Sequence, residues 1–203
     1  MEKIIFLDVD GVLVSGRCVT YDFEESDATL FFSAAYSMPF ERKALAALQR
    51  LVQSSGARIV VSSTWRGVPD AMQHLQRALA EFQMGNAVLD TTAPLGELAS
   101  RGAEIESWVS HHPALASFVI LEDSSKHVAS FVSRPALAQR FVQTYLHEAA
   151  PPSPQEECLT EAHVEAALKI LATPQAGPEA AQSGCLAPSS QGGQPGALNE
   201  ASL

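Results

Sequence analysis

Two carboxylates one residue apart, Asp8 and Asp10, are followed at once by Gly11. They come directly after Ile4-Ile5-Phe6-Leu7, an uncharged run of β-branched, aromatic and aliphatic side chains. Such a run reads as a strand buried on both faces, as in the interior of a parallel sheet. The acids then emerge at its carboxyl end, where open α/β sheets bind their ligands, and Gly11 permits a tight turn there. Charges in that position resist leaving water unless a cation or strong donors meet them. The reading that follows is a divalent metal held by oxygen ligands, with one of the two acids doing chemistry.

Two later stretches repeat the pattern. Ala57-Arg58-Ile59-Val60-Val61 runs into the hydroxyl cluster Ser62-Ser63-Thr64-Trp65-Arg66, and Ser117-Phe118-Val119-Ile120-Leu121 runs into Glu122-Asp123-Ser124-Ser125. Between them, Arg101 is the only lysine or arginine from Arg77 to Lys126. Asp-x-Asp-Gly-Val-Leu after an apolar strand resembles the first motif of the haloacid dehalogenase (HAD) phosphatase superfamily. Ser-Ser-Thr-Trp-Arg and Arg-Gly-x-Glu-Ile resemble the HAD domains of Swiss-army-knife RNA repair proteins.

The resemblance implies roles. Asp8 is the nucleophile that becomes an aspartyl phosphate, a form of carboxylate covalent catalysis. Asp10 protonates the leaving oxygen and then activates water, and its backbone carbonyl helps to bind Mg²⁺. Ser62, or its neighbour Ser63, donates a hydroxyl to the phosphoryl oxygens, aided by the N–H groups of the turn. Arg101 fills the basic position, usually a lysine, that neutralises crowded negative charge; Lys126 is the alternative. Arg66 contacts a phosphate or, equally, a surface acid. Asp123, with Glu122 beside it, completes the Mg²⁺ site. A further acid is common three or four residues on, but Lys126 and His127 stand there. Fewer charges are then left for an ion that often takes only one or two protein carboxylates.

These residues need a scaffold, and the chain between them supplies one. Glu41 to Ser55 reads as a helix with Leu45, Leu48, Leu51 and Val52 on one face and Gly56 as its C-terminal cap. A second helix starts near Pro69-Asp70, and Asn86 to Asp90 is a short strand. A third helix begins at Arg101 with Ile105, Trp108 and Val109 inward, and His111 and His112 cap its end. Phe141 to Tyr145 reads as the last strand, and Thr160 caps a helix through Leu171. Strands alternating with helices predict a parallel sheet, and the resemblance makes it a Rossmann-like three-layer α/β/α sandwich. Ser15 to Pro39 is long enough for a small flap and not for a full cap domain, so an open site follows. Its aromatics, Phe31, Phe32 and Tyr36, together with Phe40, read as packing. The domain is expected to span 1–172. From Pro174 on, Pro, Gly, Ser, Gln and Ala dominate, and a disordered tail over 173–203 is expected.

Composition narrows the class of function. With 46% hydrophobic residues, the 203-residue chain can build one sizeable core. No apolar run approaches the ~20 residues of a membrane helix, and the N-terminus does not resemble a signal peptide. Cys18, Cys158 and Cys185 have no metal-ligand spacing and are odd in number, so a reducing, cytoplasmic location is expected. The net charge of −10 is uneven, −4 through Leu146 and −6 beyond, and no basic patch marks a long nucleic-acid surface. The expected activity is a Mg²⁺-dependent phosphomonoester hydrolase whose partner is a small phosphorylated substrate or a nucleic-acid end. A non-catalytic protein that binds a phosphorylated ligand is the alternative, and phosphoryl transfer to an acceptor other than water is a third. The sequence does not specify oligomeric state.

Overall fold

The computed structural model describes residues 2–33, 36–96, 98–145 and 158–174, apart from the side chains of Ser33 and Tyr36. The Pro151–Pro154 loop and the tail beyond Pro174 lie outside the described residues. In chain order the elements are β1 (Glu2–Leu7), a single turn α1 (Gly16–Val19), β2 (Leu30–Ser33), β3 (Tyr36–Glu41), α2 (Arg42–Ser55), β4 (Arg58–Val61) and a 3-10 turn (Thr64–Gly67). Then come α3 (Pro69–Glu81), β5 (Val88–Thr91), α4 (Arg101–Ser110), β6 (Leu115–Glu122), α5 (Ser125–Val132), β7 (Phe141–Gln143) and α6 (Glu161–Ala172).

Five strands form one parallel sheet in the order β5-β4-β1-β6-β7. The alternation within β1 assigns its side chains to the two faces, because successive residues of a strand point opposite ways. Ile5 and Leu7 join the larger core with α2, α3 and α6, through residues such as Leu48, Leu75 and Val164. Ile4 and Phe6 join a second core with α4 and α5, around Ile105, Trp108 and Phe131. Three layers result, and Ile4 to Leu7 of β1 are all fully buried, which is why that run carries no polar side chain.

Helix ends are set locally. Gly56 adopts φ +66 at the end of α2, and Thr160 forms a reciprocal cap with His163 at the start of α6, worth about 1 kcal/mol. The strand expected from Asn86 begins at Val88, because Asn86 and Ala87 are spent on the turn that closes with Ala87 N–H donating to Met84 O. Likewise β7 stops at Gln143, and Glu41 ends β3 rather than opening α2.

Among the described residues between β1 and α2 the elements are α1 and an antiparallel β2–β3 hairpin, a flap without a cap domain. Phe40 is fully buried, and Phe31 and Phe32 lean on the same core; the Tyr36 side chain lies outside the described residues. Cys18 and Cys158 are both fully buried. Among the described residues no helix is long and apolar enough to cross a membrane.

Candidate active site

The sheet order reverses at β1: β4 and β5 are laid down on one side of it, β6 and β7 on the other. Ligand crevices form at such switch points, beyond the strand carboxyl ends. Register then selects which residues meet there. Leu7 is level with Val61 on one side and with Leu121 on the other. The next residues out are therefore neighbours: Ser62 N–H donates to Leu7 O at 2.8 Å, and Asp8 N–H to Leu121 O at 3.1 Å. Ser62, Asp8 and Glu122 stand in one row, all buried.

Asp8 is 6% exposed, and its strongest cationic contact is loose, Arg101 Nη1 at 3.5 Å. Burial first, then the Glu122 charge, push its carboxyl well above the usual carboxylate range, against the pull of Arg101 and the Ser63 hydroxyl. Of the two serines, Ser63 is the one whose hydroxyl favours the charged Asp8, while Ser62 Oγ accepts from Thr92 Oγ1 at 3.4 Å. Arg101 opens α4 and is itself buried, whereas Lys126 is exposed. The base beside Asp8 is Arg101.

Asp10 is gripped from one side. Trp65 Nε1 donates to both of its carboxylate oxygens at 3.1 Å. Burial raises its pKa, while the indole and Arg101 oppose the rise. Gly11 has φ +68, and a Cβ there would lie 2.4 Å from Asp123 Cβ, so the loop passes too close to Asp123 for any side chain. Asp123 is raised to about 7, by burial and then by the charge and hydrogen bond of Glu122, with Asp10 adding to it.

The acid set against Asp8 is accordingly Glu122, and Asp123 covers the Gly11 loop. One ligand atom each from Asp8, Glu122 and His127 lie within 4.8 Å of one another. His127 Nδ1 is buried 3.2 Å from Glu122 Oε1, yet makes no hydrogen bond of acceptable geometry. Burial alone would raise Glu122; His127, Arg101 and the proton side of Asp8 outweigh it and hold its carboxyl low. Two hydrogen-bonded carboxyls out of water, with an imidazole nitrogen left over, suit a divalent cation: it would satisfy all three.

The model of the HAD domain in Swiss Army Knife RNA repair proteins matches residues 4–150, well over half of the chain. The chain belongs to the HAD superfamily. No curated protein matches it. Membership of the HAD superfamily points to phosphohydrolase chemistry in general.

Three residues of this HAD domain's site carried no role in the sequence reading. Trp65 reaches Asp10 across 55 positions. Glu104, one turn into α4, accepts Arg66 Nη2 on both oxygens at 2.8 and 2.9 Å and lies 3.9 Å from Arg101 Nε. Arg66 also donates to Ser63 O at 2.9 Å, so it is a partly buried clamp between the Ser63 turn and α4, with its guanidinium already engaged by Glu104. The signal available was the spacing of Arg101 and Glu104, three apart on one helix face. His127 is the third. His111 and His112 do cap α4, each Nδ1 lying 2.7 Å from a carbonyl of its last turn.

A groove of about 610 Å³ opens at the same end of the sheet, lined by Thr64, Arg66, Asp90, Thr92, Pro94 and Trp108. A second cavity, of about 480 Å³ around Gly56, Met84 and Asn86, has no ionisable side chain in its wall.

Proposed function

We propose that this HAD domain is a Mg²⁺-dependent phosphomonoester hydrolase working through an aspartyl phosphate on Asp8. One observation carries the reading: Asp8 is buried with a guanidinium at 3.5 Å and a second carboxylate, Asp10, held two residues away by an indole N–H. That pairs a nucleophile with a separately positioned acid.

In the first step an Asp8 oxygen bonds to phosphorus in line with the departing group. Asp10, protonated, gives its proton to the leaving oxygen as the old P–O bond breaks. Arg101 and the Ser63 hydroxyl, with Ser62 behind it, hold the non-bridging oxygens, where charge builds up. In the second step water attacks phosphorus, Asp10 takes its proton, and the Asp8–phosphorus bond breaks to free phosphate. Asp8 and Glu122 would hold the Mg²⁺, with Asp123 and Asp10 adding negative charge alongside. Its contribution when bound is to screen the charge of the phosphoryl group and bring it onto the carboxylate.

Without a cap, the site admits the end of a larger molecule, and the neighbouring groove, with its threonines and Arg66, suits a polar leaving group. The family's RNA-repair association nominates a nucleotide or a polynucleotide end. The test is phosphate release from an aryl phosphate and from 5′- and 3′-phosphorylated oligonucleotides with Mg²⁺, and its loss in Asp8→Asn. His127 at the position where a further acid is common favours a second reading, a binding protein without turnover. Ligand binding with no phosphate released from any of these substrates would select it.

A further inference from the structure

We propose that His127 is a nitrogen ligand of the metal site, and that the site therefore prefers first-row dications of the cobalt, nickel and zinc kind more strongly than an all-oxygen site would. The inference rests on the phosphohydrolase reading of the same site. The donor set drawn together there is two carboxylates and one imidazole, within 4.8 Å. A simple ion pair would spend His127 Nδ1 on Glu122, yet at 3.2 Å from Oε1 that buried nitrogen is not aligned to bond it. A buried nitrogen this close to two carboxylates and hydrogen-bonded to neither has its lone pair left for a third body.

The backbone that carries the ring is also held. Ser130 Oγ donates to His127 O at 2.7 Å and accepts Gly102 N–H at 3.1 Å. A Cβ at Gly102 would come within 2.8 Å of Ser130 Oγ and 2.9 Å of Ser130 O, so α4 and α5 meet there without a spacer. The turn that carries His127 is thereby tied to the helix that carries Arg101. Lys126, exposed on the outer side, leaves the inward position to the imidazole.

The donor type sets the ion. Mg²⁺ favours oxygen ligands and gives up its water reluctantly. Imidazole binds the later first-row dications better, in line with their general affinity order. Nδ1 coordination directs the opposite ring N–H outward, and the His127 side chain is 30% exposed, so that proton is open to exchange.

The test is calorimetric titration of the metal-free full chain with Co²⁺ and separately with Mg²⁺, joined to proton NMR of the Co²⁺ form. The expected spectrum has a strongly shifted imidazole N–H resonance that vanishes in D₂O and is missing from His127→Gln while Co²⁺ still binds. In His127→Asp, the ratio of Co²⁺ to Mg²⁺ affinity is expected to fall on the order of tenfold or more. Absence of the resonance from the wild-type Co²⁺ form, its survival in His127→Gln, or an unchanged ratio in His127→Asp overturns the proposal; the wild-type spectrum needs no variant to fold. If the nitrogen fails these tests while Asp8→Asn still removes Mg²⁺ binding and turnover, only the His127 assignment falls. If both ions bind undisturbed by Asp8→Asn, the phosphohydrolase reading falls with it.

Discussion

Two buried carboxylates in this protein lie in opposite circumstances. Glu41, 3% exposed at the root of the flap, is saturated: Ser15 Oγ donates at 2.7 Å, Arg17 Nε at 2.8 Å and Arg17 Nη2 at 3.0 Å. Arg17 is itself fixed by Asp27 at 2.8 Å and Thr29 at 2.9 Å. Asp8, almost as buried, has one guanidinium at 3.5 Å and another acid pressed against it. Burying a charge is costly unless it is paired and hydrogen-bonded. The first cluster meets that condition with its own residues and is scaffold. The second leaves it unmet by its own residues, as the proposed cation and phosphoryl group would require.

The largest effect should come from separating the two. Asp8→Asn is expected to lower turnover on the order of 10⁴-fold, since no other group can accept the phosphoryl. It should leave the thermal midpoint unchanged or raise it, because a repelled, desolvated charge has been removed. A midpoint that drops instead would make Asp8 part of the scaffold and end the contrast.

Glu41→Ala should do the reverse. It strands Ser15 and one side of Arg17, at a cost of about 2 kcal/mol in denaturant unfolding; the partial exposure of Arg17 keeps the figure at the low end. Turnover per folded molecule should change far less than in Asp8→Asn. If it collapses equally at full stability, the flap root belongs to the reaction and not to the scaffold.

Trp65 tests the boundary between the two regions, since it packs on Phe40 from the flap at 5.5 Å and donates to Asp10. Trp65→Phe keeps a ring there and removes the N–H. The expected result is a fall in kcat of about tenfold, a fraction of what general acid catalysis supplies, with KM unchanged and about 1 kcal/mol of stability lost. A raised KM at unchanged kcat would show that the indole holds substrate rather than orienting Asp10.

This contrast was only partly legible in the sequence. The two-faced burial of Ile4–Leu7 and the three strand-terminal clusters follow from local pattern, and Arg101 follows from being the sole base in its stretch. What local pattern cannot give is register. Glu122, not Asp123, aligns with Asp8 because β6 runs one residue beyond Leu121 before the chain turns over Gly11; shift that pairing by one and the two acids exchange places. Ser63 differs from Ser62 in the same way, through the 3-10 turn whose Trp65 N–H its hydroxyl caps. Trp65 to Asp10 and Arg66 to Glu104 are contacts between distant segments, and neither residue looks unusual where it stands. His127 was visible only as an acid that is missing.

The smallest effect lies on the scaffold side and concerns pH. His74 on α3 is fully buried, its ring stacked on Phe40 at 4.4 Å and its Nε2 2.8 Å from Met38 O in the flap. Burial first, with Arg77 one turn on, lowers its pKa from 6.5, against the Met38 carbonyl, which favours the charged ring. The folded state thus takes up this proton less readily than the unfolded chain does. Its contribution to stability is complete above pH 6.5 and is lost as pH falls through the lower, folded value. His74→Gln can keep a donor for Met38 O and cannot titrate, so its unfolding free energy should decline less steeply than the wild type's between pH 7.5 and 5, as urea midpoints at each pH would measure. Parallel curves would mean that His74 takes its proton equally in both states. The flap would then rest on the Glu41 cluster and on ring packing, with no neutral histidine required beneath it.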